Sequence, residues 1–121
     1  LDNEPDNAAA LNALGYTLAD RTPRHQEAYE YISRAIELDP DDPAIIDSMG
    51  WVLYRLGRLD EAIEHLRKAL ALGPDAEIAA HLGEVLWQAG QKSEAEAVWR
   101  EALQHNPNAT AVQQTMQRLQ Q

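Results

Sequence analysis

The sequence predicts an all-α fold, a linear stack of helical hairpins closed at its C-terminal end by a capping helix. Three observations predict it. Prolines recur at Pro5, Pro40, Pro74 and Pro107, separated by 35, 34 and 33 residues. An apolar residue followed by glycine recurs at Leu14-Gly15, Met49-Gly50 and Leu82-Gly83. Alanines recur as Ala28, Ala62 and Ala95, and again as Ala35, Ala69 and Ala102. Landmarks of three kinds sharing one period mark a repeat architecture, in which each unit buries its apolar face on the next.

Each period divides into two amphipathic stretches. Leu11, Leu14 and Leu18 stand at helical spacing, as do Ile46, Met49 and Leu53, and then Ala79, Leu82 and Leu86. Asn7, Asp42 and Asp75 precede these first helices as N-cap residues, and Pro43 suits a first helical position. A break follows each first helix: Asp20-Arg21-Thr22-Pro23, then Gly57, then Gly90. The glycines suit the left-handed turn that ends a helix. Ala28, Ile32 and Ala35 then outline a second helix, matched by Ala62, Leu66, Ala69 and by Ala95, Trp99, Ala102. Proline stops each second helix, because its ring cannot continue the backbone ladder. Gly15, Gly50 and Gly83 lie mid-helix, where glycine costs about 1 kcal/mol relative to alanine. A cost repeated at one register predicts a close helix crossing there.

The units so defined are residues 8–42, 43–75 and 76–109, followed by a capping helix over 110–121 with Val112, Met116 and Leu119 on one stripe and mostly Gln, Thr and Arg opposite. Leu1 to Asn7 parallels Ile36 to Asp42, so residues 1–7 read as the end of a truncated preceding repeat. The first hairpin should therefore expose apolar surface and invite self-association.

Formal charge is −10, from 20 acidic and 10 basic residues, which repels phosphate backbones and anionic headgroups. The composition therefore argues against a nucleic-acid partner and against direct membrane contact. The absence of cysteine removes disulfides, thiolate metal sites and cysteine nucleophiles.

The pattern resembles the tetratricopeptide repeat (TPR) family, best over 43–75 with Ile46, Met49-Gly50, Leu53, Gly57, Ala62, Leu66, Ala69 and Pro74. The resemblance implies a right-handed α-solenoid whose first helices line a concave side. By register, the groove residues are Asn12, Tyr16 and Ala19 in the first repeat, and Asp47, Trp51, Tyr54 and Arg55 in the second. His81, Glu84, Trp87 and Gln88 follow in the third. Aromatics flanked by polar groups suit a peptide-gripping surface. Trp51 and Tyr54 are expected to face outward, Trp99 to fill a seam, and Trp87 either to pack against the cap or to meet a ligand. Family members that clamp carboxylate termini use groove lysine and asparagine, whereas the corresponding positions here carry Asn12, Tyr16, Asp47, Ser48 and Ala80. That argues against such a clamp.

Chemistry finds little support. His25, His65, His81 and His105 are scattered, and none forms the helical two-histidine zinc motif. Glu77, His81 and Glu84 share one helical face, which reads as a solvated groove edge before a metal site. Asp39, Asp41, Asp42 and Asp47 lack the glycine and terminal glutamate of a calcium loop and read as turn and cap residues. No glycine-rich phosphate loop exists, and no cofactor is expected.

The expected function is that of a non-enzymatic interaction module, an adaptor or scaffold with a protein or peptide partner. Residues 47–57 and 79–87 resemble the last repeats of proteobacterial outer-membrane TPR lipoproteins, some of which recruit a carboxyl-terminal processing protease. The resemblance implies a periplasmic location, with the cytoplasm as the alternative. Other readings are a pilus- or envelope-assembly scaffold, or a structural end-cap of a longer solenoid.

Overall fold

The computed structural model describes residues 7–120, and the expectation for residues 1–6 lies outside them. Seven helices follow in order: α1 (Ala8–Arg21), α2 (His25–Leu38), α3 (Pro43–Arg55), α4 (Leu59–Leu72), α5 (Ala76–Gln88), α6 (Lys92–His105) and α7 (Thr110–Leu119). There is no strand among the described residues. α1–α2, α3–α4 and α5–α6 pair as antiparallel hairpins, each second helix of the first two packs on the next first helix, and α7 lies mainly against α5. No helix of the first hairpin packs backbone against the third. The chain is thus an all-α solenoid rather than a globule with one centre.

Local chemistry explains the element ends. The Asn7 side chain accepts from the Ala10 amide at 2.9 Å, Asp42 from Ala44 at 2.8 Å and Asp75 from Glu77 at 2.7 Å. These bonds satisfy amides that a helix start otherwise leaves orphaned. Gly57 (φ 84°) and Gly90 (φ 87°) take the left-handed turn between the helices of hairpins two and three. The first hairpin has no such glycine; Thr22 ends α1 in an extended conformation, its hydroxyl donating to the Leu18 carbonyl at 2.6 Å.

The mid-helix glycines mark the close crossings. A Cβ on Gly15 would lie 2.6 Å from Ile32 Cδ1, and one on Gly50 2.6 Å from Leu66 Cγ. A Cβ on Gly83 would fall inside the Trp99 indole. Ala28, Ala62 and Ala95, fully buried on the facing helices, hold the same spacing from the other side. Each crossing therefore gains contact between a large apolar side chain and a bare backbone, which offsets the helix-propensity cost of glycine.

One expected core residue is not core. Leu14 is 41% exposed, whereas Met49 and Leu82 at the same register are 5% and 1% exposed. The latter two are shielded by the hairpin before them, and α1 has no such neighbour among the described residues. In the cap, Val112 is buried as the stripe predicts, but Thr115 is buried too, while Met116 and Leu119 are only partly covered. Leaning toward α5 rather than sitting squarely over α6 rotates α7 so that Thr115 joins Val112 inside.

Candidate functional site

The first helices α1, α3 and α5 place their polar and aromatic side chains along one strip, which α7 extends. The strip is built on two buried carboxylates. Asp47 of α3 accepts from His81 Nδ1 of α5, at 2.9 Å to Oδ1 and 3.1 Å to Oδ2. Glu84, one turn further along α5, accepts from the Tyr54 hydroxyl at 2.9 Å and from Arg118 of α7 at 2.6 Å. A buried carboxylate without such partners would be strongly unfavourable, so each pairing is a condition for its acid being there.

Aromatic rings fill the space between the pairs. Trp51 stacks on the His81 ring with centroids 4.3 Å apart and planes inclined by 28°, and its other neighbour is Tyr54 at 4.9 Å. The Trp51 Nε1–H donates to Asp20 Oδ1 of α1 at 3.3 Å. Tyr16 of α1 reaches across to His81, with its hydroxyl 3.5 Å from Nε2. Side chains of α1, α3 and α5 thus meet at one imidazole.

Electrostatics follow from this crowding. Burial, then Asp20, Asp47 and Glu77, push the Tyr16 hydroxyl up to about 12. Burial, then Glu84, push the Tyr54 hydroxyl up to about 12 as well. Asp47, His81 and Tyr16 form a carboxylate–imidazole–hydroxyl chain that superficially suggests acid–base chemistry. A phenol so reluctant to ionise is the reverse of an activated nucleophile. The chain joins side chains of α3, α5 and α1.

Several sequence expectations need correction here. Trp51 does not face outward; it is 6% exposed, because the imidazole of the next repeat covers one face. Asp47 and Glu84 are buried members of the floor rather than open groove contacts, and Ala19 is fully buried. Asp47 is a mid-helix hydrogen-bond partner of His81, not a turn or cap residue. Trp87 is half-buried, packed against Trp99 at 5.8 Å with Lys92 Nζ 4.8 Å above its ring. Asn12, Tyr16, Tyr54 and His81 are half-buried, and Arg55 and Gln88 are exposed. The Asn12 Oδ1 atom is buried without a hydrogen-bond partner. Among the described residues, no three acidic or histidine side chains are placed to hold a metal ion.

Asp20 and Arg118 were not on the predicted strip. Asp20 sits one position beyond the aligned groove residues, in a stretch that reads as a turn. A signal for Arg118 did exist: it is the sole cation of residues 110–121, opposite a strip otherwise supplied with positive charge only by Arg55. Polar cap residues read as solvating when the face they meet is unknown.

Comparison with known proteins agrees with this architecture. The tetratricopeptide repeat family matches residues 1–43 and 48–111. A TPR repeat-containing protein of Pseudomonas aeruginosa is 67% identical over 81 residues, 67% of this chain, which spans 14% of that protein's length. Protein arginine N-methyltransferase 9 of Homo sapiens is 43% identical over 56 residues, covering 46% of this chain and 7% of that protein. Among solved structures, a thermophilic TPR protein of Thermus thermophilus superimposes with a TM-score of 0.80 at 24% identity, covering 93% of this chain and 63% of that one. The last comparison concerns the fold alone.

Proposed function

This chain belongs to the tetratricopeptide repeat family, and from that premise we propose that it is a non-catalytic interaction module holding a polypeptide along the strip formed by α1, α3 and α5. The observation that carries the reading is the division of labour on that strip. Asp47 and Trp51 are spent on His81, and Glu84 on Tyr54 and Arg118. Half-buried Tyr16 and Tyr54 are held by His81 and Glu84, and exposed Arg55 and Gln88 stand free beside them. A rigid strip presenting aromatic edges and an arginine avoids part of the ordering cost of binding and offers the residue types that dominate interface energetics. Arg55→Ala with Gln88→Ala leaves the floor intact and is expected to weaken capture of the partner roughly tenfold, as loss of one hot-spot arginine does. Pull-down with titrated bait from an envelope extract measures it. Equal capture by this variant, with loss on changing Glu64 and Arg67 of the opposite helix, would move the binding face to the convex side.

The finer reading is an adaptor on the periplasmic side of the outer membrane that recruits a processing protease. It is supported by the likeness of residues 47–57 and 79–87 to the last repeats of such lipoproteins. Identification of the captured protein by mass spectrometry tests it, and an exclusively cytosolic set of partners would overturn it. A structural end-cap role is favoured by one observation, that α7 buries Val112 and clamps Glu84 through Arg118.

Self-association belongs to the same reading. Leu14 leaves apolar surface open on α1. Light scattering is expected to show concentration-dependent mass growth that Leu14→Lys abolishes, and a monodisperse monomer at high concentration would reject the idea.

A further inference from the structure

Resting on the reading of the strip as the partner-binding face, we infer that its curvature is proton-regulated, with the Asp47–His81 contact as the tie that sets the angle between the second and third hairpins.

The geometry places the imidazole where its charge matters to three helices. Asp47 of α3 takes its Nδ1–H at 2.9 Å, the Trp51 face lies 4.3 Å from its centroid, and the Tyr16 hydroxyl of α1 meets Nε2. The backbones of the first and third hairpins do not pack on each other, so this side-chain contact spans the gap between them. In the imidazolium form Nδ1 and Nε2 both donate, the Asp47 contact is an ion pair, and the indole face adds a cation–π attraction. In the neutral form one donor to Asp47 remains and Nε2 can only accept from Tyr16. The buried Asp47 carboxylate is then left without an adjacent cation.

The groups around the ring set the direction. From α1 they are Tyr16 and Asp20, with Arg21 near Tyr16; from α3, Asp47, Tyr54 and Arg55; from α5 itself, Glu77 and Glu84; from α7, Arg118, which Glu84 already holds. Burial works against the charged ring, but the Asp47 hydrogen bond and charge, then Glu77 and Glu84, outweigh it and hold His81 above its ordinary value. A group whose folded value exceeds its unfolded one stabilises fully below the unfolded value, about 6.5 for histidine, and loses that contribution as pH rises through the folded midpoint. The Asp47–His81 tie between α3 and α5 is therefore tightest in mild acid and weakens toward alkaline pH. That frees the angle between the second and third hairpins while Tyr16 stays bonded to Nε2, now as the donor.

Two partner-free measurements on the whole chain test this. The first is an NMR titration of the histidine ring protons in the wild type and in Asp47→Asn, whose amide keeps the shape of the carboxylate. The wild-type His81 midpoint should lie above about 6.5, and that of Asp47→Asn below it, because burial then prevails. The second is the spin-label distance between Glu30→Cys on α2 and Gln104→Cys on α6, in a chain with no other cysteine. That distance should be narrowly distributed below the midpoint and broader or longer above it, and insensitive to pH in His81→Gln. A wild-type midpoint at or below about 6.5, an Asp47→Asn midpoint equal to wild type, or a distance distribution unchanged across the midpoint overturns the inference. None of these outcomes depends on a partner, so they stand apart from the capture experiment that tests the binding face.

Discussion

Replacing Gly83 by alanine is expected to lower stability by about 3 kcal/mol or more, at the upper end of what overpacking a core costs. The added methyl would occupy the position of the Trp99 indole, and that ring has nowhere to go: Trp99 is fully buried and lies against Trp87. At Gly15 and Gly50 the added Cβ would crowd Ile32 and Leu66 at 2.6 Å and the Ala28 and Ala62 carbonyls at 3.2 and 3.3 Å. That is a smaller overlap with smaller side chains than at Gly83, so alanine there should be milder. Because repeats couple mainly to their neighbours, the damage should appear in α5, α6 and α7 before α1 and α2. Hydrogen exchange resolved by helix, together with thermal unfolding, measures both claims; a fall in Tm of roughly 10 °C is the expected scale. Adding Trp99→Leu to Gly83→Ala should recover part of the loss, since the smaller side chain makes room for the methyl. If Gly83→Ala unfolds like Gly15→Ala, the crossing of α5 and α6 is no tighter than that of α1 and α2.

Trp51→Ala is the second large effect, and its meaning depends on where that ring lies. Were Trp51 an open groove residue, its loss would weaken partner binding and leave stability nearly unchanged. Buried as it is between His81 and Tyr54, it should cost about 3–5 kcal/mol, as truncating a core aromatic does. Its removal also releases Asp20 and uncovers one face of the imidazole. Chemical denaturation of Trp51→Ala beside Arg55→Ala separates the two roles: the first should shift the midpoint strongly, the second within about 0.5 kcal/mol, as surface substitutions do. A Trp51→Ala chain as stable as wild type would return this ring to the binding surface. Any loss of partner capture in Trp51→Ala must be read against its stability before it is assigned to contact.

The two effects differ in how visible they were beforehand. Gly83 belongs to a series with Gly15 and Gly50, and a glycine recurring mid-helix at one register announces a close approach whatever lies opposite. Trp51 belongs to no such series. Tyr16 and Glu84 hold the same place relative to the glycine in the neighbouring repeats, and those three side chains share no chemistry that would reveal a common fate. Asp47 and His81 are 34 residues apart, and nothing local to either says they meet.

What the amino-acid order settled by itself is therefore what depends on nearest neighbours along the chain. Helix starts follow from Asn7, Asp42 and Asp75, turns from Gly57 and Gly90, and the pairing of each hairpin from small residues at a fixed register. Those preferences are local, they repeat, and repetition makes them legible. Only the tertiary structure decided which polar side chains face water and which face each other. The strip's floor is assembled from repeats that meet at an angle, and Arg118 reaches Glu84 because α7 leans on α5. Burial of a carboxylate depends on a partner delivered from another repeat, and the angle at which repeats stack is a property of the whole array, not of any segment within it.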